Sequence, residues 1–372
     1  MYCIVGFSAL HQFNRKPRFL ISGYYGFGNL GDEALLSVIV SQLRTRYPQA
    51  QINVLSANPA STAHEFGVEA TPRADIPRVN RAIARADVVL SGGGGLLQNA
   101  TSLRSLLYYA AILRTAIRAG RKTMVFGQSI GPLDFWGKRI VRKWCSGISR
   151  ATVRDGRSYV LLKPLLATTP IEKTADPVFL YDAPDERTDL SLQGLGPDSE
   201  PLVVVSVRKA PNITQAMPLI ARCVDRLAER YGARVAFLPL GGAGDADISS
   251  GLIRKCRTRP TLLPSCDVGR AANIIKRARV LIGMRLHSLI LAVRYGVPFL
   301  AVPYDPKVAA FCEDLAYPLP PLWALAAADV DRLTDRVWLE RTELSERLLG
   351  AGRALHDLAV RNFGVLDELV RE

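Results

Sequence analysis

The chain has 372 residues, a formal net charge of +14 at pH 7, and 48% hydrophobic and 22% charged residues. This length suits two domains of ordinary size, and the composition is typical of a soluble globular protein. No apolar run reaches the roughly eighteen residues that cross a bilayer. No basic residues precede the short apolar patch near the N-terminus, as they would in a secretory signal. We therefore expect a cytoplasmic protein with a short extension, residues 1–17, ahead of the first strand.

The large positive charge favours an anionic partner. The basic residues are spread along the chain and are not interleaved with aromatic residues, which argues against nucleic acid. An anionic small substrate and a peripheral contact with an anionic membrane both stay open. Six cysteines are scattered without C-x-x-C spacing, and four histidines form no H-E-x-x-H motif. This usage predicts a reducing compartment and no structural or catalytic metal.

The first half of the chain alternates short runs of Val, Ile and Leu with segments of helical period. This alternation is typical of a parallel sheet covered by helices. It predicts strands at 18–23, 51–55, 86–91, 123–127 and 151–154, and helices at about 33–47, 102–119 and 137–146.

Residues 181–201 are rich in Pro, Gly, Asp and Ser, which is the composition of a linker. We predict an N-terminal Rossmann-like domain over 1–185, a linker over 186–201, and a C-terminal Rossmann-like domain over 202–372. The second domain repeats the alternation, with strands at 202–207, 234–239, 279–283 and 298–302, and helices at 215–231, 268–278 and 286–295. The tail from residue 324 is predicted to be helical. One possible arrangement is that this tail packs back across the linker. The predicted architecture is α/β, with two doubly wound domains that face each other across a cleft and bind ligands at strand ends.

A glycine-rich loop, residues 26–33, follows the first predicted strand and reads G-x-G-x-x-G, which ordinarily suggests a dinucleotide site. Asp32 and Glu33 would oppose a pyrophosphate at the helix start. The second strand also ends without an acidic residue to hold a ribose. Asp32 is therefore either the cap of a helix in a tight turn or a carboxylate that orients sugar hydroxyls.

A second loop, residues 92–95, consists of four glycines after another predicted strand. Without side chains, this loop lets a ligand or the opposite domain approach the backbone closely, although a purely structural turn is the alternative. Gly93 and Gly94 are its candidate binding residues. In the loop over residues 238–247 we favour helix capping over ligand binding as the role of the acids.

Basic residues follow several predicted strands. Arg154 and Arg208 end strands, which makes their planar guanidinium groups candidate ligands for carboxylate or phosphate. Arg285 and His287 lie where a buried strand turns into an apolar helix, whose N-terminus adds partial positive charge. Lys307 lies just beyond the next strand end. Together these residues predict an anion pocket that contains a titratable acid.

These segments together resemble the polysaccharide pyruvyl transferase family, and specifically its CsaB-like members, which act on cell-wall polymers. The resemblance covers about residues 18–320. The matching segments are GYYGFGNLGDEALL (23–36), LSGGGGLLQN (90–99), FGQSIGPL (126–133), TVRD (152–155), ADPVF (175–179), VVSVR (204–208), FLPLGGAGD (237–245) and residues 279–307.

The resemblance implies a fold like that of GT-B glycosyltransferases and a reaction with phosphoenolpyruvate. Such enzymes place a pyruvyl group as a ketal on two hydroxyls of a sugar. In CsaB-like members the sugar is N-acetylmannosamine on an undecaprenyl-diphosphate carrier, at the inner membrane face. The expected partners are thus phosphoenolpyruvate, a lipid-linked sugar and an anionic membrane, without a cofactor or metal.

The resemblance also assigns roles at this pocket. Four residues match positions expected to bind phosphoenolpyruvate or act on it: Arg154, Arg285, His287 and Lys307. The family's functional roles are carried over to Arg208 and Asp32 with weaker support. His287, as imidazolium, has the ordinary pKa suited to protonating the methylene carbon. We therefore predict two sets of site residues: His287, Arg285 and Lys307 as catalytic; Arg154, Arg208, Asp32, Gly93 and Gly94 as substrate-binding.

Two other functions stay open. A GT-B glycosyltransferase that uses a nucleotide sugar is suggested by the helix that precedes Gly296-Val297-Pro298. Against it, the strand-end loop Met-Arg-Leu-His lacks the small residues that let a diphosphate approach backbone amides. A basic scaffold at a membrane surface is the non-enzymatic alternative, and it has no need for a titratable residue in an anion pocket.

Overall fold

The computed structural model describes residues 16–100, 102–183, 200–211, 213–322 and 325–372. Nearly all of the predicted extension and linker therefore lies outside the described residues. The first sheet has seven parallel strands in the order β3-β2-β1-β4-β5-β6-β7. These strands are β1 (Arg18–Tyr25), β2 (Gln51–Ser56), β3 (Glu69–Pro72), β4 (Val88–Ser91), β5 (Lys122–Gln128), β6 (Arg150–Val153) and β7 (Ile171–Lys173).

Helices alternate with these strands, as the sequence pattern predicts. They are α1 (Leu30–Arg46), α2 (Pro59–Phe66), α3 (Ile76–Arg85), α4 (Leu103–Arg118), α5 (Phe135–Trp144) and α6 (Gly156–Leu162), followed by a 3-10 turn (Pro177–Leu180). Several begin at a side chain that accepts a backbone N–H, such as Asp134 before α5 and Asp155 before α6. Such caps satisfy amide groups that have no partner inside the helix.

The second sheet has five parallel strands in the order β10-β9-β8-β11-β12. Its strands are β8 (Leu202–Ser206), β9 (Arg234–Phe237), β10 (Thr261–Leu262), β11 (Val280–Gly283) and β12 (Phe299–Ala301). Its helices are α7 (Ile213–Tyr231), α8 (Ala243–Ile253), α9 (Val268–Lys276), α10 (Leu286–Tyr295) and α11 (Pro306–Asp314).

The tail is helical, as predicted, and consists of α12 (Ala327–Leu339) and α13 (Arg341–Arg371). Helix α13 packs against β5, β6 and the 3-10 turn of the first sheet, and against α10 of the second. Arg361 donates both Nε and Nη2 to the Glu172 carboxylate in β7, at 2.8 and 2.7 Å. The buried Asn362 donates to the backbone oxygen of Ala175 at 2.9 Å. Helix α13 therefore contacts the first sheet and a helix of the second domain.

The strands and helices predicted from the sequence are all present, with ends that differ by a few residues. The strands that were not predicted are β3, β7 and β10, short segments at sheet edges. Helix α1 begins at Leu30 rather than 33, because Asn29 occupies the cap position and the first turn is already buried. The interpretation of Asp32 as the helix cap is therefore wrong.

Strand order reverses in each sheet at one pair of neighbouring strands, β1 and β4 in the first and β8 and β11 in the second. In open parallel sheets, the loops at such a reversal diverge and leave a crevice for a ligand. The two glycine loops follow β1 and β4, and Arg285 follows β11. The domains meet at this edge, where the Leu30 amide donates to the Leu240 carbonyl at 3.0 Å. Topology thus brings the predicted site residues to one cleft.

Candidate active site

Arg154 lies at the carboxyl end of β6, and its side chain is almost fully buried. Its Nε donates to the Ser129 hydroxyl at 2.7 Å, and its Nη1 pairs with the buried Asp176 carboxylate. Ser129 in turn donates to Asp155 at 2.7 Å, and Asp155 caps α6 by accepting the Ser158 amide. These bonds fix the guanidinium in one orientation and engage its Nε and Nη1 but not its Nη2.

His287 lies in the first turn of α10, and 17% of its side chain is exposed. Its ring packs directly against the backbone of α1, since a Cβ at Gly31 would lie 1.8 Å from Nδ1. The buried Nε2 has no hydrogen-bond partner, and the Asp176 carboxylate oxygen is 3.7 Å away. A buried polar atom without a partner is rare, and one that faces a cleft indicates a place for a ligand.

Burial lowers the pKa of His287 from 6.5 to about 4, the Asp176 carboxylate opposes this, and Arg154, Arg285 and Lys307 lower it further. The imidazole is therefore neutral at pH 7 in the ligand-free protein. The sequence-based expectation of an imidazolium holds only if an anion enters the site and reverses the local charge.

Arg285 lies between β11 and α10 and is also mostly buried. Its Nε and Nη2 both donate to the Asp245 carboxylate, at 2.5 and 2.8 Å. A Cβ at Gly241 would lie 1.7 Å from Nη2, so only a glycine admits this guanidinium. Nη1 points toward Asn29 of the first domain, 3.4 Å from its side-chain oxygen. The pairing leaves Nη1 as the donor that is least engaged by the protein.

The assignment of the acids in the 238–247 loop to helix capping is wrong for Asp245. Helix α8 begins after Gly242 without a side-chain cap, and the Asp245 carboxylate holds Arg285 instead.

Lys307 lies in the first turn of α11, where its own amide donates to the cap residue Asp305 at 2.9 Å. Its ammonium rests on the second glycine loop, since a Cβ at Gly95 would lie 2.3 Å from Nζ. Burial and the nearby Arg154 lower the pKa of Lys307, while surrounding carboxylates oppose that shift. Lys307 thus brings a desolvated positive charge from the second domain to the loop after β4.

Asp32 is buried in the first turn of α1 and accepts a hydrogen bond from the Asn29 side chain. Burial and the neighbouring Glu33 raise the pKa of Asp32 to about 7, although Arg154, Lys307 and Arg285 pull it down. The pKa of Glu33 is also raised to about 7, mainly by burial, and its carboxylate accepts the Gly26 amide at 2.9 Å. Asp32 therefore sits among the site cations with a proton affinity suited to proton transfer near neutrality.

The glycines of the second loop differ in what they face. A Cβ at Gly93 would meet the Leu35 side chain of α1 at 2.7 Å, so this glycine allows close packing of helix on strand end. Gly94 has a φ of +79°, and a Cβ there would lie 3.0 Å from the Asp32 carboxylate. Gly95 faces Lys307, a contact that the sequence prediction did not single out.

Arg208 lies apart from these hydrogen bonds. Its Nη1 donates to the Tyr304 hydroxyl at 2.9 Å, and its guanidinium carbon lies 4.7 Å from the centre of that ring. Arg208 and Arg285 both lower the pKa of Tyr304, which burial raises. The structure thus brings Arg154, Arg285, His287, Lys307 and Asp32 together and places Arg208 beside Tyr304.

A cavity of about 490 Å³ opens beside this group of residues and has Arg154, Lys307 and Asp176 in its wall. The rest of the wall is mainly apolar and comes from α6, α10, α11, α13 and the 3-10 turn, with Leu161, Phe179, Ile290, Phe311, Leu355 and Leu358 among its side chains. The cavity therefore combines buried cations with a long apolar surface.

Sequence reasoning missed Asp176, the carboxylate that pairs with Arg154 and lies 3.7 Å from Nε2 of His287. Asp176 lies in the ADPVF segment, which was noted for resemblance but not as a site. Two aromatic residues were also not singled out: Tyr24, near the end of β1, and Phe27, in the loop after it, stack on each other with ring centres 4.1 Å apart. They are 42% and 46% exposed.

Two absences apply to the described residues only. Among the residues that the structure describes, no three or more His, Cys, Asp and Glu side chains form a group that could hold a metal ion. Over the same part of the chain, no helix is both long enough and apolar enough to cross a membrane.

The fold is that of GT-B glycosyltransferases and sugar-nucleotide epimerases, as predicted. The Staphylococcus aureus protein MnaA, solved with UDP, superposes with a TM-score of 0.66 at 11% identity, covering 96% of this chain and 98% of that one. The Neisseria meningitidis UDP-GlcNAc 2-epimerase bound to UDP-GlcNAc gives 0.64 at 10% identity, covering 96% and 100%. A Rickettsia africae glycosyltransferase gives 0.62 at 9% identity, again covering 96% and 100%. At such identities the likeness concerns the fold alone.

The family is shown by a sequence comparison. The model of the family described as polysaccharide pyruvyl transferase matches residues 29–306, which is more than half of the chain and includes most of the site residues. The chain belongs to the polysaccharide pyruvyl transferase family and is a transferase, as its sequence predicts. Among curated proteins, no significant match to the chain is found.

Proposed function

We propose that the chain transfers the pyruvyl group of phosphoenolpyruvate onto two hydroxyls of a sugar as a cyclic ketal. The acceptor we propose is N-acetylmannosamine on an undecaprenyl-diphosphate carrier, used at the inner face of the membrane for cell-wall polysaccharide. The observation that carries the proposal is the unpartnered Nε2 of His287 among three cations and Asp176. No metal or organic cofactor enters the scheme.

The cations suit a donor that carries both a phosphate and a carboxylate. Asp176 already orients Arg154, and Asp245 already orients Arg285. Each guanidinium therefore offers the substrate one terminal nitrogen, Nη2 of Arg154 or Nη1 of Arg285, rather than a bidentate contact. Lys307 adds an ammonium whose desolvation makes an anionic partner favourable. Such pre-oriented charges lose little entropy when the substrate binds, and they stabilise the departing phosphate.

His287 is the proposed proton donor to the methylene carbon of phosphoenolpyruvate. Protonation makes the neighbouring carbon an electrophile, and one sugar hydroxyl adds there and loses its proton. The second hydroxyl then displaces phosphate and closes the ring. Of the two hydroxyl protons, one balances the new methyl group and the other leaves with phosphate. Asp176, 3.7 Å from Nε2, would favour the imidazolium before transfer.

Asp32 is the proposed base for the acceptor hydroxyl. Its pKa of about 7 allows it to take a proton at neutral pH, and it lies in the first turn of α1, the helix against which His287 packs. The exposed Tyr24 and Phe27 offer an apolar face on which a sugar ring can stack. The apolar wall of the cavity supports a lipid-linked acceptor over a free sugar.

The test incubates purified chain and phosphoenolpyruvate with candidate lipid-linked sugars and follows phosphate release together with the mass gain of one pyruvyl group. We expect His287→Ala and Lys307→Ala to lose at least a hundredfold in rate while staying folded. Lys255→Ala removes an exposed lysine beyond α8 and serves as the matched control. Near wild-type rates for the first two variants would overturn the assignment.

A nucleotide-sugar glycosyltransferase is the alternative, and solved structures with this fold contain UDP or UDP-GlcNAc. Thermal-shift titration separates the two functions. Stabilisation by phosphoenolpyruvate supports pyruvyl transfer, and stabilisation by a UDP-sugar alone supports the alternative.

A further inference from the structure

Helix α5 exposes two adjacent aromatic side chains at its start. Phe135 is 71% and Trp136 is 62% exposed, and their rings touch edge to face with centres 5.3 Å apart. Val160 on α6 is 72% exposed. A single exposed apolar residue is ordinary. Two neighbouring solvent-exposed aromatic rings indicate a surface that binds a membrane or another molecule.

The exposed side of the same helix is strongly basic. Its exposed residues after the aromatic pair are Lys138, Arg139, Arg142 and Lys143, whereas Gly137 and Val141 are buried. Within the described part of the chain, none of these four cations has an ion-pair partner. Cations that form internal pairs serve the fold, so this row is available to an external anionic surface.

This surface leads to the active-site cavity. A shallow hollow between α5 and α6 is lined by Lys138, Arg142, Val160, Leu161 and Pro164. Arg157, Leu161 and Asp314 line both this hollow and the cavity that reaches Arg154 and Lys307. The hollow beside α5 therefore adjoins the active-site cavity, so a lipid-linked molecule held at α5 would lie next to the site.

We infer that the α5 face, defined as Phe135, Trp136, Val160 and the four basic residues of α5, binds the surface of an anionic lipid bilayer. Aromatic rings beside a basic helix face favour the boundary between headgroups and acyl chains, where the rings insert and the cations meet anionic lipid. The binding itself is independent of the pyruvyl chemistry. Only its purpose, delivery of a lipid-linked acceptor, rests on the proposed function.

The test measures flotation of the full chain with vesicles of phosphatidylcholine alone and with phosphatidylglycerol added. We expect at least tenfold tighter binding to the anionic vesicles, and a loss of that preference in 0.5 M salt because the charges are screened. Phe135→Ser combined with Trp136→Ser, and separately Arg139→Glu combined with Arg142→Glu, should each weaken binding at least tenfold.

Two control variants match these changes elsewhere on the surface. Leu339→Ser removes an exposed apolar residue of α12, and Arg254→Glu with Lys255→Glu reverses two exposed charges beyond α8. Both should bind vesicles within twofold of wild type, and all variants should keep the wild-type thermal midpoint. Equal loss in controls and α5 variants would overturn the inference, because it would show a general charge effect.

Other outcomes also overturn the inference. Absence of vesicle binding would do so, as would concentration-dependent dimerisation abolished by the Phe135/Trp136 change, which would make α5 an interface between copies of the chain. Vesicle binding that is lost only in the α5 variants, without any turnover of phosphoenolpyruvate, would retain this inference and reject the proposed function.

Discussion

We predict that His287 takes up a proton when phosphoenolpyruvate binds. In the ligand-free protein the pKa of this residue is lowered to about 4, so at neutral pH it has no proton to donate. The substrate brings a phosphate and a carboxylate, together roughly two to three negative charges, into the same group of cations. Their field acts in the direction opposite to that of Arg154, Arg285 and Lys307, and it raises the pKa.

The size of this shift follows from Coulomb's law. With an effective dielectric constant of about 20, a unit charge about 6 Å away changes the energy of the imidazolium by about 2.8 kcal/mol. That energy equals about two pKa units, so two charges move the pKa from about 4 to about 8. Because the complex then holds a proton that the free protein lacks, His287 makes substrate binding tighter as pH falls from about 8 toward 4.

Calorimetry in two buffers of different ionisation enthalpy counts the protons taken up. At pH 6.5 we expect wild type to take up about one proton more per bound phosphoenolpyruvate than His287→Asn does. Ionisation of the substrate phosphate occurs with both proteins and cancels in the difference. Equal counts for the two proteins would refute the reasoning and leave Asp32, with a pKa of about 7, as the carrier of the proton.

Three further predictions concern Gly31, Asp32 and Phe27. Gly31→Ala would place a methyl group 1.8 Å from Nδ1 of His287, so the imidazole must shift. We expect at least a tenfold loss of kcat and a lower thermal midpoint, because overpacking a buried contact costs about 1–3 kcal/mol. Gly244→Ala, with open space around the new methyl, should keep both values, and equal kcat for the two variants would contradict the contact. Asp32 has its pKa raised from 3.8 to about 7 by folding, so wild type loses stability as pH rises from about 4 to 7. In denaturant unfolding, Asp32→Asn should therefore be more stable than wild type by as much as about 4 kcal/mol at pH 8. This difference in the free energy of unfolding should disappear toward pH 4. A difference that is independent of pH would count against the raised pKa of Asp32. Phe27→Ala should raise KM for the acceptor about fivefold, as loss of about 1 kcal/mol of stacking implies, and leave KM for phosphoenolpyruvate unchanged; equal changes in both would reject a stacking role.

The fold was predictable because central strands of a parallel sheet are buried on both faces. Such strands appear in sequence as continuous apolar runs, as at β4 and β8. The strands that were missed have weaker patterns. Strand β10 has only two residues, neither of them buried, and β3 begins with an exposed glutamate and ends in proline. Their pairing is set by the neighbouring strand rather than by their own residues.

The basic residues of the site were predictable from their positions after strands, but their partners were not. Asp245 is 40 positions from Arg285, and Asp176 reaches Arg154 and His287 from a short turn after β7. No periodicity marks such residues, because their positions depend on how separate loops pack. The neutral state of His287 was also beyond the sequence, since burial and charge from two domains determine its pKa.

Helix α13 has a consequence for synthesis of the chain. Phe363, near the C-terminus, packs on Phe126 of β5 with ring centres 4.9 Å apart, and Asn362 shares a hydrogen bond with Thr174 beside β7. On the ribosome the first sheet emerges well before α13, so this part of its surface stays uncovered until α13 has been synthesised. The first domain is therefore completed only after α13 is synthesised, and a nascent chain that stalls before α13 would present an apolar surface to chaperones and to other nascent chains.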